Sequence, residues 1–331
     1  MSAAGPSAVL SDQASVLYDA PVLAHVVRSG LVESVHCGAV ALTAADGTPT
    51  RQIGAASAAV FPRSANKPLQ GVAMLRAGLD LDGALLALVC ASHSGEPFHL
   101  DGVRRILSQA GLGEADLQNT PDLPYDEQER TAWTIARRAP RCVAQNCSGK
   151  HAGMLAACVA AGWDTAGYLD PSHPLQRLTR STLGELAGEP VTAVGIDGCG
   201  APVMSLSLVG LARAFGRLAS APARSPEGRV AVAIRGHPQW LGGTRRDVTA
   251  LIRGVPGLVA KDGAEGVYAA GLADGRGVAL KIADGGQRAR PVVMAAVLRS
   301  MGVRSPALDD LAYAPVLGHG EPVGAVVAVG C

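Results

Sequence analysis

Aromatic residues are nearly missing from this chain: three Trp, five Tyr and three Phe make up 3% of 331 residues. A core built without them has to come mainly from Ala, Val and Leu, and 41 glycines suit close helix packing and tight turns. An excess of charge is missing too, with 29 basic against 28 acidic residues, a net charge of +1 and no long run of one sign. Nucleic-acid binding is therefore not indicated. No apolar stretch approaches the ~18 residues needed to span a bilayer, so no membrane association is expected. Residues 1–13 lack the basic start and apolar core of a signal peptide, which points to a cytoplasmic protein with a flexible N-terminus over 1–13. Seven cysteines, an odd number, in a large chain without a secretory signal argue against a disulfide framework and leave thiols free for metal. The length exceeds that of a usual single domain but does not force two.

What is present is concentrated in short polar blocks. Asn146-Cys147-Ser148-Gly149-Lys150-His151 sets a thiol three residues before a lysine, and Asp197-Gly198-Cys199-Gly200 repeats the glycine-flanked cysteine. Two such cysteines and an amine could converge on a soft or borderline metal, with thiolate the natural zinc ligand. The same residues also read as two small buried hydrophobes in tight turns. Ser64-Ala65-Asn66-Lys67-Pro68 places a serine three residues before a lysine. If a helix begins there, both side chains share a face and the Lys67 amine lies within reach of the Ser64 hydroxyl, the serine-lysine arrangement of base-activated nucleophiles. An N-cap serine with a solvated lysine is the plainer alternative. Cys90-Ala91-Ser92-His93-Ser94-Gly95-Glu96 closes an apolar run from Ala84, and Val259-Ala260-Lys261-Asp262-Gly263 presents a lysine at a strand edge. These supply a second serine and a second lysine, or else a helix C-terminus and a surface hairpin.

Between the blocks, strand patterns lead and close the chain. Ser34 to Leu42 and Thr50 to Ala55 flank a hairpin signal at Asp46-Gly47, and Val323 to Val329 is a terminal strand. Helical patterns cover Gly102–Ala110, Glu127–Arg138, Gly153–Ala161, Leu175–Leu186, Leu206–Leu218 and Pro291–Met301. The helix carrying Lys150 begins near it, with Cys147 in the loop before, where a helix N-terminus favours thiolate. Val191–Ile196 is a strand delivering Asp197 and Cys199 to its end, and Leu258–Ala260, Gly266–Ala270 and Gly277–Ile282 form a meander. Ala219 to Gly228, with Pro222, Ser225 and Pro226, reads as a linker or surface loop. Together they predict an α/β (α+β) fold, helices packed on a mostly antiparallel sheet.

Taken in order, the blocks Arg63 to Pro68, Cys90 to Ser94, Asn146 to His151, Asp197 to Cys199 and Val259 to Lys261 resemble the motifs of the L-asparaginase II family, the rhizobial-type asparaginases. The resemblance runs from about Val32 to the C-terminus. It implies one catalytic unit over 1–331 with a fold like serine β-lactamases and glutaminases, a homodimer, and hydrolysis of L-asparagine to L-aspartate and ammonia. It also implies two serine-lysine pairs, here Ser64 with Lys67 and Ser92 with Lys261, and a zinc ion held by Cys147, Cys199 and Lys150 with Asp197 close by. Arg63, His93, Asp197 and Gly243 are the expected substrate contacts. Two departures stand out: Gly242-Gly243-Thr244-Arg245-Arg246 has no acidic residue after its glycines, and Ile196 stands where some members have a hydroxyl.

Amide hydrolysis needs a nucleophile, a base and donors for the developing oxyanion. Ser64 is expected to attack with Lys67 as base, Ser92 and Lys261 forming a second relay, although the sequence alone does not fix which serine attacks. A lysine base useful near neutrality needs a pKa near ~8 rather than ~10.4, which crowding by a second lysine and a metal promotes. His93 and His151 lie inside motifs and are candidates to touch substrate or metal, whereas His36 reads as structural. Cys37, Cys90, Cys142, Cys158 and Cys331 read as core or incidental. The rival readings are a glutaminase or penicillin-recognising serine hydrolase, and a zinc-dependent binding protein without catalysis.

Overall fold

The computed structural model describes residue 17 and residues 19–331. The expectation of a flexible stretch over 1–13 lies outside these described residues. Twelve strands are assigned in chain order: β1 Val22–Arg28, β2 Leu31–Thr43, β3 Pro49–Ile53, β4 Ala59–Val60, β5 Val194–Ile196, β6 Pro202–Met204, β7 Leu206–Ser207, β8 Val259–Asp262, β9 Val267–Gly271, β10 Gly277–Ile282, β11 Ala314–Gly318 and β12 Glu321–Ala328. The described α-helices are α1 Lys67–Arg76, α2 Gly83–Val89, α3 Pro97–Gln109, α4 Glu127–Ile135, α5 Ser148–Ala161, α6 Pro174–Ala187, α7 Leu208–Ser220, α8 Pro226–Gly236, α9 Pro238–Leu241, α10 Asp247–Gly254, α11 Ala289–Ser300 and α12 Pro306–Leu311.

The main sheet has eight antiparallel strands in the order β11-β12-β1-β2-β10-β9-β8, with β3 also paired to β2. Strand β2 is 13 residues long and serves both halves of the sheet. Its first part pairs with β1 and the part from Gly38 to Thr43 pairs with β10. The alternating pattern around Asp46-Gly47 thus forms the β2–β3 hairpin, and the chain closes the sheet by returning β12 beside β1. Strand β8 lies at the opposite end, so its Lys261 is on an edge strand.

Helix α7 lies across β2, β9 and β10, and α11 covers β10 and β12. The approach of α7 is close enough to demand glycine: a Cβ at Gly271 would fall 2.0 Å from the Phe215 carbonyl oxygen. The remaining core is a helical layer in which α1, α2, α3, α5, α6 and α8 pack on one another, lined by Ala, Val and Leu as the near absence of aromatics requires. No helix among the described residues is long and apolar enough to cross a membrane.

The segment read as a linker, Ala219 to Gly228, is a short helical corner. Helix α7 runs to Ser220 and α8 starts at Pro226, with the Ser225 hydroxyl capping Gly228 N–H at 3.1 Å. Its Pro and Ser residues are N-cap and first-turn signals for α8, so the breaker composition marks a helix start and not a domain boundary.

Candidate active site

The site forms where four chain segments meet. Residues Arg63–Asn66 make a 3-10 turn that feeds directly into α1, so Lys67 is the first helical residue and Pro68 occupies the first turn, where its missing N–H costs nothing. The end of α2 gives way to Ala91-Ser92-His93. This irregular segment is pinned from both sides, Ser92 N–H donating to Leu241 O at 3.1 Å and His93 N–H to Asn146 O at 3.0 Å. Cys147 is the N-cap of α5, which starts at Ser148, two residues before the start expected near Lys150. Gly149 lets that helix settle on the end of α2, since a Cβ there would lie 2.4 Å from the Leu88 carbonyl oxygen. Finally, β5 and β6 form a hairpin whose turn carries Asp197 and Cys199, closed by Asp197 N–H to Ala201 O at 2.9 Å.

Three lysines converge here, and all are buried: Lys67 and Lys150 are 1% exposed and Lys261 is 0% exposed. Lys67 Nζ donates to Ala91 O at 2.6 Å, to Ser92 Oγ at 2.9 Å and to Cys147 Sγ at 3.1 Å. Lys150 Nζ donates to Cys199 Sγ at 3.1 Å. Lys261 Nζ donates to the Asp262 carboxylate at 2.6 Å and to the Asp262 carbonyl at 2.7 Å.

The pairing therefore differs from the expected one. Lys67 is hydrogen-bonded to Ser92, not to Ser64, and Lys261 is bonded to Asp262, not to Ser92. The physical reason is that Ser64 sits in the 3-10 turn before the helix, following Arg63 in the left-handed region at φ 51°. The face shared by residues three apart on an α-helix does not extend back to it. Among the described residues Ser64 makes no side-chain hydrogen bond, and it is partly exposed, whereas Ser92 is 7% exposed.

The two thiols act as a unit. The Cys199 thiol hydrogen-bonds to Cys147, which holds Cys147 well below the usual thiol range, with Lys67 and Lys150 adding to the lowering against burial. The same contact, with burial, keeps the proton on Cys199. One negative charge thus lies between two ammonium groups. Burial pulls Lys150 down, but Cys199, Cys147 and Asp197 outweigh it and keep its proton on. Arg63 Nε donates to the Asp197 carboxylate at 2.8 Å. Burial raises Asp197, yet Lys150, Arg63 and Lys67 together hold it below its ordinary value.

Among the described residues, no three His, Cys, Asp or Glu side chains gather to hold a metal. The groups here that could hold one are the two sulfurs and the Lys150 amine. His151 stands beside them with Nδ1 2.7 Å from the Tyr168 hydroxyl and its ring against the Cys199 thiol. Burial lowers His151 to about 4, with Lys150 adding to the effect, so its ring is neutral. His93 is also kept neutral by burial, its Nε2 2.8 Å from Ser148 Oγ. Gly243 has φ 145° and packs where a Cβ would lie 2.0 Å from Ser94 Oγ, its loop tied down by Thr244 N–H to the Glu96 carboxylate at 2.8 Å.

Sequence reasoning missed the anionic anchor of the site. Asp262 is 3% exposed and is shared by Lys261, Arg246 and Arg290, the last at 3.7 Å. Burial would raise its pKa, but these three cations hold it well below the carboxylate range. The signal lay in the quoted Lys261-Asp262-Gly263, which reads locally as a turn. Arg246, which stands in the loop lacking an acidic residue, also donates to Ser92 O at 3.4 Å and stacks 4.6 Å over the Tyr125 ring.

With this geometry in place, the known proteins can be compared. The family model described as L-asparaginase II matches residues 24–328. The chain belongs to the L-asparaginase II family. Membership places it among amidohydrolases. No curated protein matches it. Solved structures similar to it include a putative β-lactamase from Bacteroides dorei at 14% identity, covering 87% of this chain and 96% of that one, with a TM-score of 0.45. A β-lactamase from Mycobacterium bovis is similar at 14% identity over 88% and 99% of the two chains, with a TM-score of 0.46. A probable glutaminase from Bacillus subtilis, complexed with 6-diazo-5-oxo-L-norleucine, aligns at 13% identity over 91% and 95%, with a TM-score of 0.33. The assignment of this L-asparaginase II family member rests on the family model and not on these distant likenesses.

The ion cluster around Asp262 yields a direct expectation. Asp262→Asn strands Lys261 and Arg246 without an anion, while Arg290 keeps the Asp247 carboxylate at 3.2 Å, and breaking a buried pair from one side costs about 3 to 5 kcal/mol. Urea unfolding of the variant should show a loss of that order. A loss below about 1 kcal/mol would mean that the cluster is not held by Asp262.

Proposed function

We propose that this protein hydrolyses the side-chain amide of L-asparagine to L-aspartate and ammonia. The observation that carries the reading is the buried amine of Lys67, hydrogen-bonded to the Ser92 hydroxyl and the Cys147 sulfur at the junction of the family's motifs. A solvated lysine would serve no such cluster, and a buried amine beside a serine hydroxyl is the group that takes a proton in amide hydrolysis.

Ser64 is the proposed nucleophile, because its hydroxyl has no hydrogen-bond partner to give up among the described residues and is the more exposed of the two serines. The strained turn at Arg63 that presents it is the kind of conformation stored at working sites. In its neutral form Lys67 is the base that accepts the proton, with the Ser92 hydroxyl 2.9 Å from its Nζ as the relay. Lys261, held by Asp262, is the second base for the water that releases the product. Arg63 and the ionised Asp197 meet the carboxylate and ammonium of the amino acid. Cys147, Cys199 and Lys150 would hold zinc: two thiols and an amine form a soft donor set, and binding would displace both the proton kept on Cys199 and one proton of the Lys150 ammonium. Zinc held there would supply a Lewis acid.

Four outcomes are expected. The purified, zinc-loaded protein should release ammonia from L-asparagine and do so less well from L-glutamine. One methylene is worth only ~1 to 3 kcal/mol of discrimination, so the preference is modest beside the reaction itself. Ser64→Ala and Lys67→Ala should each abolish turnover nearly as fully as the double change. Normal turnover by Ser64→Ala, with Ser92→Ala inactive, would transfer the nucleophile's role to Ser92.

Elemental analysis should find about one zinc per chain, lost in Cys147→Ser and in Cys199→Ser. Full metal content in both variants would place zinc elsewhere.

The pH dependence follows from Lys261. Burial lowers its pKa to about 8 despite the attraction of Asp262, with repulsion by Lys67 adding to the lowering. A base must be neutral to accept a proton, and the neutral fraction of this amine grows as pH rises through about 8. The rate at saturating substrate should accordingly climb between about pH 6 and 9, with metal content verified at each point. A flat profile over that range would remove Lys261 from the proton-transfer steps.

A further inference from the structure

A cavity of about 750 Å³ opens on one flank of the sheet, and of the residues assigned above to the site only Arg63 lines it. Its walls are apolar at Val60, Phe61 and Leu208, and it carries three charged side chains, Arg63, Glu265 and Lys281. Volume and lining of this kind, apolar with a few convergent polar groups, are those of a small-molecule site.

The three charges have unused hydrogen-bonding capacity facing the same space. Among the described residues Lys281 Nζ makes one bond, to the Glu265 carbonyl at 2.8 Å, and retains further protons. Arg63 commits Nε to Asp197, while its Nη1 stands 3.9 Å from the Glu265 carboxylate, beyond hydrogen-bond distance. The Glu265 carboxylate accepts no hydrogen bond among the described residues. Both Arg63 and Glu265 are non-glycine residues in the left-handed region, at φ 51° and 56°. Such conformations cost of order 1–3 kcal/mol each and cluster at ligand clamps. Here two of them turn charged side chains toward one cavity. Burial, with Arg63 adding to it, holds Lys281 below its ordinary pKa against the attraction of Glu265 and Asp284.

We propose that this cavity is a second ligand site, selective for a small amino acid with two carboxylates. Arg63 and Lys281 take the carboxylates and Glu265 takes the ammonium, matching two cations and one anion in the wall to two anions and one cation in the ligand. Because the same Arg63 holds Asp197 and is assigned to the substrate's carboxylate, the two sites share one guanidinium and occupancy of the cavity acts on the catalytic cluster through it. Choosing L-aspartate as the probe rests on the proposed reaction, whose product it is; the recognition groups do not depend on that reading.

Calorimetric titration of the full-length protein with L-aspartate tests the site. The expected result is a binding event weakened at least tenfold in Lys281→Met and in Glu265→Gln and retained in Ser64→Ala. Succinate, which lacks the ammonium, should bind less tightly than aspartate to the natural chain and equally to Glu265→Gln. Ala193→Phe, which narrows the cavity without altering a charge, should weaken binding too, and guards against a charge variant that fails to fold. Aspartate affinity unchanged in Lys281→Met and Ala193→Phe, or no binding event at all, overturns the proposal. Absence of ammonia release from asparagine, with this titration unchanged, would remove the proposed reaction and leave the cavity site standing.

Discussion

Burial of the lysine ammonium groups is the constraint from which the rest of the site follows. An isolated charge taken out of water costs several kcal/mol, so each of Lys67, Lys150 and Lys261 must be answered by an anion or by several acceptors at hydrogen-bond distance. Lys261 is answered by Asp262, Lys67 by the Ala91 carbonyl and the Cys147 sulfur, and Lys150 by the cysteine pair and Asp197. The anions are in turn ionised by the cations, as the depressed Cys147, Asp197 and Asp262 record. Neither half of this arrangement survives without the other. A thiol pair in an ordinary core would keep both protons; beside two ammonium groups it surrenders one, and that is the state from which a metal is most readily bound.

The fold serves this cluster by bringing chain ends of elements together instead of their faces. Lys67 is at the start of α1, Ser92 just past the end of α2, Cys147 at the cap of α5, Cys199 in a hairpin turn and Lys261 on an edge strand. Element ends leave backbone groups unpaired, and the site uses them: Ala91 O receives Lys67, Leu241 O and Asn146 O receive the amides of Ser92 and His93. Gly149 in the cysteine motif is there because the α5 backbone passes over the Leu88 carbonyl. The motif is therefore partly a packing requirement and partly chemistry.

Local patterns were legible and distant pairings were not. The three-strand meander, the long β2 followed by a hairpin, and the helices at Ser148–Ala161 and Pro174–Ala187 all follow from periodicity and turn residues within a dozen positions. The gathering of the two cysteines with Lys150 was one of two readings of those blocks, the other being small buried hydrophobes in tight turns. What failed was the assumption that a serine and a lysine three apart must be partners. That rule holds inside an α-helix, and a left-handed Arg63 followed by a 3-10 turn removes Ser64 from it. Asp262 escaped notice for a related reason: beside Gly263 it looks like a turn residue, and only the return of Arg246 and Arg290 from other elements makes it the buried anion of the site. Ala219 to Gly228 misled by composition, because the residues that break one helix are also those that start the next.

The division of labour between the two basic residue types points the same way. Only four of the 29 basic residues are lysines, and three of those four lie in the cluster. Arginine keeps its proton under all ordinary conditions and offers a rigid fork, so it suits permanent pairing, as Arg63 does for Asp197 and Arg246 and Arg290 do for Asp262. Lysine alone can be made neutral by burial near physiological pH, and Lys261 at about 8 has been brought within reach of that change. A chain that uses arginine almost everywhere else has no need of lysine for solubility or for surface pairing. Its retention at Lys67, Lys150 and Lys261 is explained by a demand that arginine cannot meet, a nitrogen able to lose its proton to a metal or to accept one from a hydroxyl.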